Sequence, residues 1–185
     1  VADPSKTNAG MMVGGSSTSI KQYLNNSWSS LTNTNGLSSQ PTLFDATTNN
    51  ALCVFVTAPY NNGNTNINAA AVATTLSATG NLIMGTHTKS LVPTSSGQYF
   101  LVANPYASSV NPSSITLSGN IASNFYMWDP NCVGSYNVGQ YTTYSRTAQT
   151  YNLVGVGSGS LYNNSTAIQS GQAFFVQVND NQPAT

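Results

Sequence analysis

Few side chains of this sequence could do chemistry, and they lie far apart. The only histidine, His87, has a threonine on each side, and an isolated histidine without a carboxylate partner is usually a core or surface residue. Two of the four aspartates lie near the termini, so Asp45 and Asp129 are the one pair that could act as a glycosidase acid and base. Because no nucleophile elbow, zinc-protease motif or Walker loop is present, we predict a protein that is not an enzyme and needs no cofactor or metal.

The two cysteines, Cys53 and Cys132, are 79 residues apart. This spacing does not fit a zinc half-site, and no histidine partner completes one. Two interpretations remain open, a disulfide bond or two buried thiols, and an extracellular location favours the bond. Closing a loop of this length would stabilise the fold by about 4–5 kcal/mol in the chain-entropy model.

Tyrosine is frequent in the polar C-terminal third of the chain. Aromatic ring faces beside amide and hydroxyl groups commonly hold sugars, and the candidate glycan contacts on this basis are Tyr136, Tyr141, Tyr144 and Tyr151. Tyrosine is also a favoured strand residue with a polar tip. We prefer this structural interpretation, and the glycan site is the alternative.

Short apolar or alternating runs, separated by turn residues, recur from residue 20 to the end of the chain. Their β-branched and aromatic content predicts strands, at residues 51–56, 73–78, 98–103, 114–117, 125–128, 140–144, 151–156 and 172–178. The best short-helix candidates are residues 20–24 and 66–73. The pattern predicts an all-β fold, a single β-sandwich of jelly-roll or immunoglobulin-like type.

Two further patterns concern the organisation of the chain. Residues 1–19 are small, polar and rich in glycine, which predicts a flexible N-terminal arm or linker ahead of a β-sandwich domain at residues 20–185. The one apolar cluster of the arm, Met11, Met12 and Val13, is a candidate subunit contact, although its alternation is poor for a donated strand. Residues 97–102 (GQYFLV) resemble residues 171–176 (GQAFFV), which predicts two similar strands in one sheet.

Charged side chains are almost absent. Four basic and four acidic residues make up 4% of the chain and give a net charge of zero, while Asn, Ser, Thr and Gln supply 80 of the 185 residues. Four scattered cations cannot neutralise a row of phosphates, which excludes nucleic acid and argues against anionic membranes. No apolar run approaches the length of a membrane span, and a signal peptide, if one existed, is expected to be already removed. Surfaces without net charge associate readily, so we predict a subunit that packs against its own copies.

Five short motifs follow one another over most of residues 50–178. They are residues 75–82 (TLSATGNL), 99–106 (YFLVANPY), 125–130 (FYMWDP), 139–144 (GQYTTY) and 168–176 (IQSGQAFFV). In this order they resemble the TLxATGxLxTG, NLVGNPYPS, YxWDP, GxYxTY and IxxGQAFFV elements of β-rich domains in surface and secreted proteins of Bacteroidota. Two departures stand out: Ala103 replaces the usual glycine before Asn-Pro-Tyr, and residues 57–60 are uncharged where that family often carries charges.

The domains that this chain resembles lie near the C-terminus of long proteins exported by the type IX secretion route. The resemblance implies an extracellular or cell-surface location, a β-sandwich-like module and no catalytic residues. We therefore predict a non-catalytic extracellular structural protein, a self-assembling subunit of a bacterial surface filament, fibre or layer. The alternative is a monomeric cell-surface adhesin or carbohydrate-binding module. The expected partners are other copies of the chain, with a glycan surface in the alternative, and neither nucleic acid nor membrane insertion.

Overall fold

The computed structural model describes residues 20–30, 44–45, 50–51, 53–54, 82–129, 132, 139–146, 150–152 and 167–185. The chain divides into two compact units, Val1–Asn81 and Leu82–Thr185. In the described part, strands pair antiparallel and one short 3-10 helix is present, so the predicted all-β class is confirmed there. The N-terminal arm with Met11, Met12 and Val13 lies outside the described residues, as do the predicted strand at 73–78 and the predicted helix at 66–73.

The described part of the first unit contains five short strands. They are β1 (Ile20–Leu24), β2 (Ser27–Ser30), β3 (Phe44–Asp45), β4 (Asn50–Ala51) and β5 (Cys53–Val54). Strand β1 lies between β2 and β5, and β3 pairs with β4.

The predicted helix at residues 20–24 is wrong, because these residues form β1. Strands β1 and β2 are joined by a two-residue turn at Asn25 and Asn26, with φ angles of 51° and 59°. Positive φ at both central residues is the signature of a type I′ turn, whose twist matches that of a hairpin, and asparagine tolerates this conformation. The hairpin places Tyr23 opposite Trp28, with ring centroids 5.1 Å apart in an edge-to-face arrangement. The Asn-Asn pair is the local signal that favours a hairpin over a helix.

A five-stranded antiparallel sheet forms the centre of the second unit. Its strands in chain order are β6 (Tyr99–Ala103), β7 (Ile121–Asp129), β8 (Gln140–Ser145), β9 (Thr150–Asn152) and β10 (Ala173–Val178). In space the order is β6-β10-β7-β8-β9. The C-terminal strand therefore lies inside the sheet, between two strands that precede it in the chain.

The two similar sequence runs lie side by side, as predicted, because β6 and β10 are neighbours. The hydrogen bonds around them repeat about a local two-fold axis. The N–H of Gly97 donates to the carbonyl of Val178 at 3.0 Å, and the N–H of Gly171 donates to the carbonyl of Asn104 at 3.2 Å. Both glycines have positive φ, 77° and 71°, which explains why each run begins with this residue.

One face of the sheet carries the hydrophobic core of the second unit. Alternate residues of three strands point into it, namely Phe125, Met127, Tyr144, Phe174, Val176 and Val178, all at most 3% exposed. Leu91, Ile168 and Ala184 cover this face from segments outside the sheet.

The predicted strand at residues 114–117 is also wrong. A 3-10 helix at Pro112–Ser114 occupies its start, and the segment that follows is extended without belonging to a named strand. The side chain of Asn111 caps the helix by accepting a hydrogen bond from the N–H of Ser113 at 3.0 Å. An Asn-Pro pair at a helix start supplies both the cap and the fixed φ angle. These two features favour the 3-10 helix over the strand that the following apolar run predicts.

Candidate functional site

Three extended segments lie over the core face of the sheet in the second unit. The C-terminal segment is in the middle: Ala184 exchanges two backbone hydrogen bonds with Leu91, of 2.7 and 3.0 Å, and Thr185 exchanges two with Ser118, of 2.5 and 2.9 Å. Reciprocal bonds of this kind are typical of antiparallel pairing. The three segments therefore form a short second layer with residues 184–185 in the middle.

A cavity of about 680 Å³ lies beside this layer, and residues 85–89, residues 114–118 and Thr185 line it. We call this cavity the inter-layer slot and the first two segments its walls. Its floor is the core face of the sheet, with Val102, Phe174 and Val176 among the lining residues. The slot is thus a space with an apolar floor beside backbone segments of the second layer.

The Asn-Pro-Tyr motif holds one wall of the inter-layer slot in place. The hydroxyl of Tyr106 donates to the carbonyl of Gly85 at 2.7 Å, and its ring meets the His87 ring edge-to-face at 5.8 Å. The amide of Asn104, 4% exposed, donates to the carbonyls of Ile168 and Gln169. The motif therefore has a structural role, because it connects residues 85 and 168–169 of the second unit.

The opposite face of the sheet carries a cluster of aromatic rings. Tyr99 lies 5.6 Å from Tyr126, and Tyr141 lies 5.7 Å from Phe175 and 5.0 Å from Trp128, all edge-to-face. Trp128 and Tyr141 are each 42% exposed, while Phe175 is 8% exposed. The two outermost rings cross at 75°, so they form an aromatic corner and not a flat platform.

The four charged side chains of the second unit are Lys89, Asp129, Arg146 and Asp180. Asp129 is fully buried, so a glycosidase acid and base pair made of Asp45 and Asp129 would have one carboxylate inside the core. The side chain of Asp45 lies outside the described residues. Arg146 donates to the carbonyl of Ile115 at 2.8 Å and lies 6.0 Å above the Phe125 ring.

Asp180 is held by two hydrogen bonds although its side chain is exposed. Its carboxylate accepts from the Asn120 amide at 2.7 Å and from the N–H of Gln182 at 3.0 Å. These two bonds, the Asn120 bond first, hold the pKa of Asp180 below its usual range, because hydrogen bonds to the ionised form favour that form. Lys89 lines the inter-layer slot.

The predicted disulfide stays a prediction. Cys132 is buried at 2% exposure, and its N–H donates to the carbonyl of Asp129 at 3.4 Å. Cys53 lies on β5 in the first unit, and its side chain is outside the described residues.

The predicted glycan contacts fall into different environments. Tyr141 is exposed in the aromatic corner, whereas Tyr144 lies in the core at 1% exposure and stacks on Phe125. Tyr144 is therefore corrected from a candidate contact to a core residue, because it offers no ring face to a ligand. Tyr136 and the side chain of Tyr151 lie outside the described residues.

His87 lies in the wall of the inter-layer slot, where its Nε2 is 3.2 Å from the carbonyl oxygen of Met84. Among the residues that the structure describes, no group of three or more histidine, cysteine or acidic side chains could hold a metal ion. Within the same residues, no helix is long and apolar enough to cross a membrane.

Trp128 and the inter-layer slot are not among the candidate sites predicted from the sequence. Trp128 could have been found, because alternation along β7 places it on the same face as Tyr126. The slot could not, since it depends on pairing between segments that are far apart in the chain. Comparison with protein-family models, with curated proteins and with solved structures found no match.

Proposed function

We propose that this chain is a non-catalytic structural subunit that assembles with copies of itself into an extracellular filament, fibre or layer. The observation that supports this most is where the charges of the second unit lie. Asp129 is buried, and Arg146 and Asp180 are engaged in hydrogen bonds within the unit. Repulsion between like charges is what normally keeps protein surfaces apart, and this unit has few charges that could supply it.

Exposed apolar side chains favour the same proposal. Leu82, Met84 and Val92 are 72%, 79% and 69% exposed. Single exposed apolar residues are ordinary on protein surfaces. Here they stand on a surface whose polar groups are mostly amides and hydroxyls, which hydrogen-bond across an interface without the desolvation cost of ions.

The second unit, in this proposal, is a β-sandwich of jelly-roll or immunoglobulin-like type. Its five-stranded sheet is one layer, and the three extended segments around Leu91, Ala184 and Ser118 belong to the other. The location outside the cell, the bacterial surface and type IX secretion follow from the resemblance of the five sequence motifs. The described residues of four of those motifs, at 99–106, 125–129, 139–144 and 168–176, fall on strands and the loops next to them, as in a structural module.

The proposal is tested by adding charge to the exposed apolar positions. A triple variant, L82K/M84K/V92K, is compared with the uncharged polar variant L82S/M84S/V92S, and assembly is measured by sedimentation and negative-stain imaging. We expect the lysine variant to need at least about tenfold more protein to assemble than the serine variant at low salt, because its copies repel each other. A wild-type chain that stays monomeric at every concentration would refute the proposal, and equal assembly of the two variants would refute the role of charge.

A glycan-binding module is the second candidate, and the aromatic corner of Trp128 and Tyr141 supports it. Each ring is 42% exposed, and aromatic rings beside polar groups are common at sugar sites. A glycan array probed with the wild-type chain and with W128A and Y141A tests this. Binding by a stable monomer that either substitution removes would favour this function over assembly.

A further inference from the structure

The inter-layer slot is lined by backbone segments with which an added strand could pair. Successive residues of a strand direct their backbone groups to opposite sides, and Ala184 and Thr185 do so towards Leu91 and Ser118. Residues 85–89, which precede Leu91 in the chain, and residues 114–118, which end at Ser118, are the two walls of the slot. An extended peptide in the slot would lie beside these walls.

One wall offers backbone groups to such a peptide. Since the backbone of Ser118 faces the middle segment, that of Thr116, two residues earlier, faces the slot. No hydrogen bond involves Thr116 among the described residues. Its side chain is exposed, and the residue before it, Ile115, has extended φ and ψ angles of −74° and 120°. This is the arrangement that accepts an added strand.

The floor offers apolar surface to alternate side chains of that peptide. Val102, Ile115, Leu117 and Ile121 line the slot and are only partly buried, although all four pack against the core. Covering them would remove apolar surface from water, at about 25 cal/mol per Å². An occupant with apolar side chains at every second position would therefore bind by burial as well as by backbone pairing.

We propose that residues 9–13 of a neighbouring copy occupy the inter-layer slot as a donated strand. This inference rests on the proposed self-assembly and specifies the contact by which one copy binds the next. Although Met12 interrupts a strict alternation of apolar and polar residues, Ala9, Met11 and Val13 recur at every second position, so that in an extended conformation they share one face. Methionine adapts to irregular apolar spaces, and the glycines at positions 10 and 14 leave room for close approach of the backbone.

The lack of charge in residues 9–13 and the length of chain between them and β1 are consistent with this segment as the occupant. Residues 7–19 carry no charged side chain, and among the described residues that line the slot only Lys89 is charged. An uncharged segment therefore enters without burying an unpaired ion. Seven residues lead from Val13 to Ile20, where β1 begins, which corresponds to at most about 25 Å of extended chain. This is the longest distance that these seven residues could span between the donated segment and β1.

The donor side is tested in the full chain by M11N/V13N, with M12N as the matched control. The double variant removes apolar groups from the face that enters the slot, whereas M12N changes the opposite face. We expect M11N/V13N to raise the concentration needed for assembly at least about 100-fold, because two apolar side chains lose their burial. M12N should assemble within about threefold of the wild type.

The acceptor side is tested by Thr116→Pro, with Thr116→Val as its control. Proline removes the N–H that faces the slot, and the extended conformation of Ile115 is the one that a following proline requires. Should T116P lower the stability seen by circular dichroism, Val102→Gln on the floor serves the same purpose. We expect the proline variant to lose assembly at least about tenfold relative to T116V.

A mixture of the two defective variants separates this inference from the proposed function. M11N/V13N keeps an intact slot and T116P keeps an intact donor, so together they should form a dimer by sedimentation and no polymer, while each alone stays a monomer. Absence of this dimer, or a wild type and an M11N/V13N variant that assemble equally well, would overturn the slot inference and leave the proposed function standing. A monomeric wild type would overturn both.

Discussion

The side chain of Asn104 joins two loops of the second unit through four hydrogen bonds. Its amide nitrogen donates to the carbonyls of Ser108, Ile168 and Gln169 at 2.8, 3.0 and 3.1 Å, and its oxygen accepts from the N–H of Tyr106 at 3.0 Å. A neutral amide can donate and accept at one buried site, which a carboxylate cannot. In this chain a neutral buried amide therefore links two loops, a role that ionised side chains often have in other proteins.

The first prediction concerns this amide. Asn104→Asp places a carboxylate against three carbonyl oxygens, and we expect it to lower the free energy of unfolding by about 3 kcal/mol. Asn111→Asp is the matched control, because only the side-chain oxygen of Asn111 is used, at an exposed helix cap, and it should change stability by less than about 0.5 kcal/mol. Urea unfolding at pH 7 measures both, and similar effects at the two positions would contradict the structural role of the Asn104 amide.

The second prediction concerns Asp180. Its hydrogen bonds to Asn120 and Gln182 hold its pKa below the usual range, so the ionised form is favoured in the folded state. The stabilisation is therefore present above the unfolded pKa of about 4 and is lost as the pH falls through the lower folded pKa. Thermal unfolding of the wild type and of Asp180→Asn should show a smaller loss of stability between about pH 5 and about pH 2 in the variant. Parallel pH profiles of the two proteins would refute this contribution.

At the scale of elements, the sequence predicts strands well where their side chains alternate between the two faces of one sheet. The runs at residues 98–103, 140–144 and 172–178 correspond to β6, β8 and β10, and the duplicated Gly-Gln motif correctly predicts that β6 and β10 share a sheet. The pattern of apolar residues does not predict the hairpin of β1 and β2, because its local signal is the turn at Asn25 and Asn26.

The second layer could not be predicted, since it is made by long-range pairing. Leu91 bonds Ala184 and Ser118 bonds Thr185, and no local propensity records either contact. The inter-layer slot cannot be predicted for the same reason, because residues 85–89, residues 114–118 and Thr185, which line it, are far apart in the chain. The described site therefore follows from topology more than from motifs.

The third prediction concerns the close approach of Gly119 to the C-terminal segment. A Cβ at Gly119 would lie 2.8 Å from the Cβ of Ala184, whereas one at Gly85 would meet nothing within 4 Å, and both glycines have φ near 80°. Gly85→Ala should therefore cost only about 1 kcal/mol for its backbone conformation. Gly119→Ala should cost at least about 1 kcal/mol more, because the middle segment of the second layer must shift. Chemical unfolding of both variants checks this, and equal costs would mean that the C-terminal segment is loosely held.

At the scale of the whole molecule, the distribution of polarity is the feature that needs an explanation. Charged residues make up 4% of the chain, and in the second unit one carboxylate is buried while two further charged groups make internal hydrogen bonds. A surface of amides, hydroxyls and exposed aliphatic groups is prone to association. Assembly with identical copies would turn this property into a structural role.

Sedimentation velocity of the wild-type chain over a range of concentrations, at about 0.05 M and about 1 M salt, tests this account most directly. If neutral surfaces drive assembly, species larger than the monomer should form as the concentration rises, to the same or a greater extent at the higher salt, because there is little charge attraction to screen. A single monomer boundary up to the highest concentration, in both salts, would contradict the account.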